Sequence, residues 1–389
     1  MISSIILSGI GVLATTLVAA QSPVSISNPS ATLPEIPCQT TSRGRYYPAE
    51  INCTPVLDPS TDDDTPALQA AIQRAGNNTG YVVIPSNMSL TLKSPGLWEK
   101  CQWCGLKNSG TIKIAGGKSW EGVKGVLSAW NTIQWRMDSP GVIDASYLRL
   151  ASDADTPPAL FHGFNMDHLW STGMNLKNAP GTYLRLEKVS YISAQTISIL
   201  SEKGYGRDDA YGIVMGGGEY VFWDHIDIKN EGERTGNCIA IDGVPEHGTT
   251  IRNTTCVNTL TGVTVLLGAS ETRYTVNGLV NASHIRVTDL TVDADIATGV
   301  LNKGFQRAAV SDVFFGNVTV LNGDAAVVED CWAGPGKTGQ CDQTKNSQEE
   351  PLRTYTGITF KDYKGKLGAP PRNRTGTVVV DVRVENWGF

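Results

Sequence analysis

The chain is 389 residues long, 40% hydrophobic and only 18% charged, enough for two ordinary domains or for one elongated all-β unit. A formal net charge of -6 and a pI near 5.5 leave no basic patch for nucleic acid and disfavour tight binding of a polyanion. The 41 glycines, the asparagine-rich punctuation and the lack of sustained helical periodicity argue against an α/β enzyme.

Residues 1–20 are apolar and end Leu17-Val18-Ala19-Ala20 before Gln21, the pattern of a secretory signal peptide, although no Lys or Arg opens it. An uncleaved anchor is the competing reading, since ~20 apolar residues span a bilayer. Either route enters the secretory pathway and predicts a secreted product with no membrane association after cleavage. Seven Asn-x-Ser/Thr sequons fit that route: Asn52, Asn77, Asn87, Asn253, Asn281, Asn317 and Asn373. In that compartment the eight cysteines read as four disulfides. Cys101-Gln-Trp-Cys104 has the spacing of a metal or redox pair, but no second pair or nearby His completes such a site. Proximity in sequence suggests Cys331 with Cys341.

Residues 21–61 are Pro- and Ser-rich and predict a loose N-terminal arm. From Asp62 the sequence becomes structured. Thr61 to Pro66 offers an N-cap, acidic residues near a positive helix end and a proline in the first turn, followed by Ala67-Leu68-Gln69-Ala70-Ala71-Ile72. That helix would cap an open sheet end. Tyr81-Val82-Val83-Ile84 is the first expected strand. Further strands are expected at Thr111-Ile112-Lys113-Ile114, Gly141-Val142-Ile143-Asp144, Tyr183-Leu184-Arg185-Leu186, Thr196-Ile197-Ser198-Ile199, Gly357-Ile358-Thr359-Phe360 and 377–382.

Between Arg207 and Lys303, short β-branched runs closed by Asn, Gly or Asp recur every two to three dozen residues, as a coil-stacking solenoid would write them. Here stand Arg207-Asp208-Asp209-Ala210-Tyr211, Gly236-Asn237-Cys238-Ile239-Ala240-Ile241, Thr261-Gly262-Val263-Thr264-Val265 and Gly299-Val300-Leu301-Asn302-Lys303. In frame, they resemble the polygalacturonase family, whose coils carry Asn-Thr-Asp-Gly, Asp-Asp-Cys, Gly-His-Gly and Arg-Ile-Lys. Asn175 to Pro180 resembles the turn that precedes that family's active-site coils. The resemblance covers roughly residues 62–363 and implies a single all-β domain over 62–389, a single-stranded right-handed parallel β-helix with an N-terminal helical cap. It also implies pairing of Cys238 with Cys256 across adjacent coils, leaving Cys38 with Cys53 and Cys101 with Cys104.

In that family two carboxylates activate water and a third protonates the leaving oxygen. Asp209 falls on the Asp of Asn-Thr-Asp-Gly, but Gly236 and Asn237 replace the Asp-Asp pair. Leu260 or Thr261 replaces the His, and Leu301-Asn302 replaces Arg-Ile while Lys303 is kept. Trp332 takes the place of the groove Tyr. Glu233 or Asp242 would have to stand in for the missing acid, against the plainer reading of Glu233 as a solvated loop charge beside Arg234. Trp223 reads as core or groove; His225 and His247 read as turn or surface residues. Asp208-Asp209 fits a turn better than a calcium site.

Three functions remain open: a glycosidase on pectin-like polymer, a non-catalytic carbohydrate-binding protein, and a cyclase for apolar small molecules. As a whole, a secreted, glycosylated β-helix of this length with vacated hydrolytic carboxylates resembles the fungal hetero-Diels–Alderases of tropolone-sesquiterpenoid pathways. That likeness rests on no diagnostic motif. It implies a cycloaddition in which Lys303 donates a hydrogen bond to the oxadiene oxygen, Asp209 assists dehydration of a precursor, and Tyr211, Trp223 and Trp332 form apolar walls. No cofactor or metal is implied. A monomer or weak homo-oligomer is expected.

Overall fold

The computed structural model describes residues 37–42, 49–116, 120, 122–148, 157–205, 210–232, 236–242, 248–267, 275–276, 279–302, 308–329, 353–366 and 380–388. Parallel pairing is the rule. Strand Ala159–Lys177 pairs with Leu184–Ser201, that strand with Tyr211–Asn230, and onward through Thr249–Leu267, Leu279–Asn302, Ala308–Glu329, Arg353–Gly365 and Val380–Gly388. Each coil lies on the one before, giving the expected right-handed parallel β-helix.

Inward columns of β-branched and aliphatic side chains hold the stack. Met215, Ile241, Val265 and Val300 share one column, Ile213, Ile239 and Val263 another, and Ile228 pairs with Cys256. All are buried, and burial stabilises each such side chain by about 1.5–3 kcal/mol. Every residue chosen as a frame marker therefore belongs to stacked parallel coils.

The corners are made by residues in the left-handed backbone region. One column runs Thr196, His225, Asn253, Asp289, Asn317 and Asp362, with φ between 50° and 58°. Another runs Gln134, His168, Tyr191, Tyr220, Gly248, His284, Asp312 and Gly357, all at positive φ. Their alignment follows from the flanking strand pairs. Because short polar side chains and glycine tolerate this conformation best, Asn, Asp and Gly punctuate the sequence once per coil.

At the N-terminal end, helix Thr65–Ala75 has Pro66 in its first turn and buries Leu68, Ala71 and Ile72 against the first coils. The expected cap differs in detail. Asp64 precedes the helix without capping it, because its carboxylate accepts the Thr91 backbone N–H at 2.7 Å and ties the helix to a strand. The expected loose arm over 21–61 is corrected in its last third. Cys38–Thr41 pairs antiparallel with Glu50–Cys53, which pairs in parallel with Gly80–Ile84, so the sheet begins before Asp62. Disulfides Cys38–Cys53, Cys101–Cys104 and Cys238–Cys256 are formed, so the Cys101/Cys104 spacing is a staple and not a metal pair. The Cys238–Cys256 bridge is corrected to lie within one coil, since the next rung after Asn237 is Thr261. Cys331 and Cys341 lie outside the described residues. Among the described residues no helix is long and apolar enough to cross a membrane.

Candidate functional site

Strand alternation sends Ile213, Met215, Ile239 and Ile241 into the core, which leaves Val214, Gly216, Ala240 and Asp242 on the outer face. Three outer rows run along the solenoid. The first joins Tyr211, Asn237, Thr261 and Ile296; the second Val214, Ala240, Thr264 and Gly299. The third carries Glu187, Gly216 and Asp242, and further along Leu266 and Leu301.

These rows decide the family positions. Thr261, and not Leu260, shares a rung with Asn237, and its hydroxyl donates to the Asn237 side-chain oxygen at 2.9 Å. The Asn237 amide in turn donates to the Ala210 carbonyl at 3.3 Å. Both residues are buried, so they form a neutral, internally satisfied pair. Val214, Ala240, Leu266, Ile296 and Leu301 form an apolar cluster of their own, separate from the core, with Tyr211 packed against it. Although they lie on the outer face, none of the five is more than 4% exposed.

Along the same rows toward the N-terminus the chemistry changes. Ser128, His162 and Arg185 precede Val214, and Trp130, Phe164 and Glu187 precede Gly216. The Trp130 indole N–H donates to His162 Nδ1 at 3.3 Å, and His162 Nε2 faces Glu187 Oε2 at 3.3 Å. An indole nitrogen can only donate, so Nδ1 accepts and a neutral His162 carries its proton on Nε2, toward the carboxylate. Arg185 Nε donates to the other Glu187 oxygen at 2.8 Å. Burial pushes the Glu187 carboxyl up, but His162 and Arg185 together outweigh it and bring the pKa down to about 2. Sequence reasoning missed this network. Its one signal was Leu184-Arg185-Leu186-Glu187, where strand alternation turns both charges to one side.

Of the other expected site residues, Trp223 is corrected: it is fully buried in the column of Ala194 and Ile251 and cannot touch a ligand. Tyr211 does line the outer face. His225 is a corner residue whose imidazole sits 3.0 Å from Asp224. Asp242 is buried in the third row, across Gly216 from Glu187. Asp209, Glu233, His247, Lys303 and Trp332 lie outside the described residues. Among the described residues no group of His, Cys, Asp or Glu could hold a metal ion. Sequons Asn77, Asn87, Asn253 and Asn317 are exposed, and Asn52 and Asn281 are half-buried. Asn373 lies outside the described residues.

The chain aligns at 26% identity over 232 residues with a probable endo-xylogalacturonan hydrolase A of Aspergillus flavus, and at 25% with that of Aspergillus oryzae. Each alignment covers 56% of this chain, and the chain spans about half the length (55%) of these curated relatives. The solved endo-xylogalacturonan hydrolase of Aspergillus tubingensis superposes with a TM-score of 0.55 at 19% identity, covering 87% of this chain and 92% of that one. The polygalacturonase of Erwinia carotovora gives 0.53 at 16%, covering 90% and 95%. This is a polygalacturonase-like parallel β-helix. No protein-family profile matches the chain. On this polygalacturonase-like scaffold the outer rows hold Asn237, Thr261 and Leu301.

Proposed function

We propose that the protein is a secreted glycoside hydrolase acting on a pectin-type polysaccharide along the outer rows from Tyr211 to Leu301. The observation that carries this reading is the register of Tyr211, Asn237 and Thr261. It sets Tyr211, Asn237, Thr261 and Ile296 side by side on successive coils, which supports the frame read from the sequence. The relatives named as xylogalacturonan hydrolases supply the substrate class. Since Asn237 and Thr261 are neutral, the reaction needs its carboxylates elsewhere. Asp209 would take the proton of the attacking water, and Glu233, the alternative to the buried Asp242, would protonate the leaving oxygen. The three disulfides and the exposed sequons support secretion, with a mature chain from about Gln21.

A second reading rests on the apolar cluster. Val214, Ala240, Leu266, Ile296 and Leu301 offer a floor for hydrophobic reactants and no water-activating group. A hetero-Diels–Alder cyclisation of a tropolone-derived diene with a terpene alkene suits such a floor, with Lys303 as hydrogen-bond donor, Asp209 assisting dehydration, and Tyr211 and Trp332 as walls. A non-catalytic carbohydrate-binding role needs only the polar rim.

One experiment separates the three. Purified secreted protein is incubated with xylogalacturonan, with polygalacturonan, and with a tropolone quinone-methide precursor plus a cyclic terpene alkene. Reducing-sugar release that falls about 100-fold or more in both Asp209→Asn and Glu233→Gln is the expected result. Stereoselective adduct formation without sugar release, weakened in Lys303→Met, would replace the hydrolase with the cyclase. Binding without turnover would leave the carbohydrate-binding reading.

A further inference from the structure

One corner of the solenoid departs from the economy of the others. At its successive rungs stand Gln134, His168, Tyr191 and Tyr220, then Gly248, His284, Asp312 and Gly357, all in the left-handed backbone region. For a residue with a Cβ that conformation costs roughly 1–2 kcal/mol, and Asn or Gly meets it more cheaply than tyrosine. The two tyrosines do not serve the core either, being 40% and 48% exposed. Their rings are nonetheless ordered into a stack. His168 and Tyr191 lie 4.4 Å apart and Tyr191 and Tyr220 4.9 Å apart, each pair within 9° of parallel. Trp170 sits 5.5 Å from His168, and Trp103 lies 6.0 Å from Trp170, so the aromatic strip runs along the coil axis.

We propose that this strip is a binding surface for neutral glycans, separate from the outer rows described above. It lies four residues past Gly216 in the coil, beyond the left-handed turn at Gly217. Because the ring faces are used in the stack, the half-exposed tyrosines at consecutive rungs present their outer rims, where phenol groups bond the hydroxyls of a pyranose chain. One rung every ~4.8 Å along the axis suits a linear polymer and not a compact ligand. The row beside it carries Asp167, Ser190 and Glu219, which accept hydrogen bonds from sugar hydroxyls and repel a polyuronate. Lys188, exposed on the coil of Tyr191, offsets those acids against a cationic partner.

The surface needs no turnover, so its test stands apart from the hydrolase reading. Full-length secreted protein is run by affinity electrophoresis through gels holding soluble xylan, β-galactan or polygalacturonate, beside the double variant Tyr191→Gly/Tyr220→Asn. Glycine is used at the first site because an asparagine before Ile192-Ser193 would create a sequon. Glycine and asparagine are well suited to the left-handed corner, so the expected result is an unchanged or raised Tm together with loss of the retardation seen for the wild type in a neutral polymer. If the double variant fails to fold, Tyr220→Asn alone carries the comparison. Retardation unchanged in the variant, none in either neutral polymer, or retardation by polygalacturonate only would overturn the proposal. A lowered Tm with retardation intact would make the stack a structural element instead.

Discussion

Two halves of one outer face, built on the same rows of the same sheet, solve burial in opposite ways. Toward the N-terminus, His162, Arg185, Glu187 and Trp130 satisfy one another by hydrogen bonds and charge. Toward the C-terminus, Val214, Ala240, Leu266 and Leu301 satisfy nothing and need nothing. The change falls at Gly216, one rung beyond Glu187. The scaffold therefore does not dictate the chemistry of its face. Any outward position tolerates burial if its polar atoms are paired or absent, and a catalytic set can be lost by substituting four or five outward residues without disturbing the inward columns.

The comparison breaks hardest at Glu187. Glu187→Ala leaves the buried His162 and the part-buried Arg185 without their partner, and a loss of about 3 kcal/mol in unfolding free energy is expected by chemical denaturation. The same carboxylate makes the polar half pH-sensitive. Its folded pKa of about 2 lies below the ordinary 4.5, so its stabilisation is complete above about pH 4.5. It is lost as pH falls toward 2, with a full value of roughly 3 kcal/mol. Unfolding curves between pH 5 and 2 should show a steeper decline in the wild type than in Glu187→Gln, and parallel curves would remove the claim.

The apolar half should respond to volume and not to pH. Leu301→Ala is expected to cost ~2–5 kcal/mol, and Leu301→Met under about 1.5 kcal/mol, with no change in the acid profile. Thr261→Val gives the smallest effect. It removes the hydroxyl donor to Asn237, and about 1 kcal/mol should be lost on thermal melting, with the far-UV spectrum unchanged.

The fold was legible because a solenoid repeats its instructions. Met215, Ile241, Val265 and Val300 recur in equivalent frames, and Asn253, Asp289 and Asn317 each mark the same corner. The site was less so. Arg185 and Glu187 are neighbours in sequence, but His162 and Trp130 join them only through coil register, which depends on the length of every intervening turn. Trp223 was misjudged as a possible groove residue for a related reason: a left-handed corner two residues later, at His225, obscures the parity of the strand. The apolar cluster was visible as five ordinary residues, Val214, Ala240, Leu266, Ile296 and Leu301, whose adjacency no local pattern announces. The choice between Leu260 and Thr261 also needed the ladder itself.

The Cys238–Cys256 bridge has a mechanical consequence. Both sulfurs sit in the interior, so the bond crosses one coil and closes it into a ring 18 residues around. A stack of coils pulled from its ends peels like thread from a spool, each turn adding its contour length. The bridged turn cannot give up those residues, so a pulling trace on the oxidised protein should fall short by about 60 Å of the reduced one. The knot in the thread sits beside the coils that carry the outer rows, which places the most tear-resistant part of the spool where the site is.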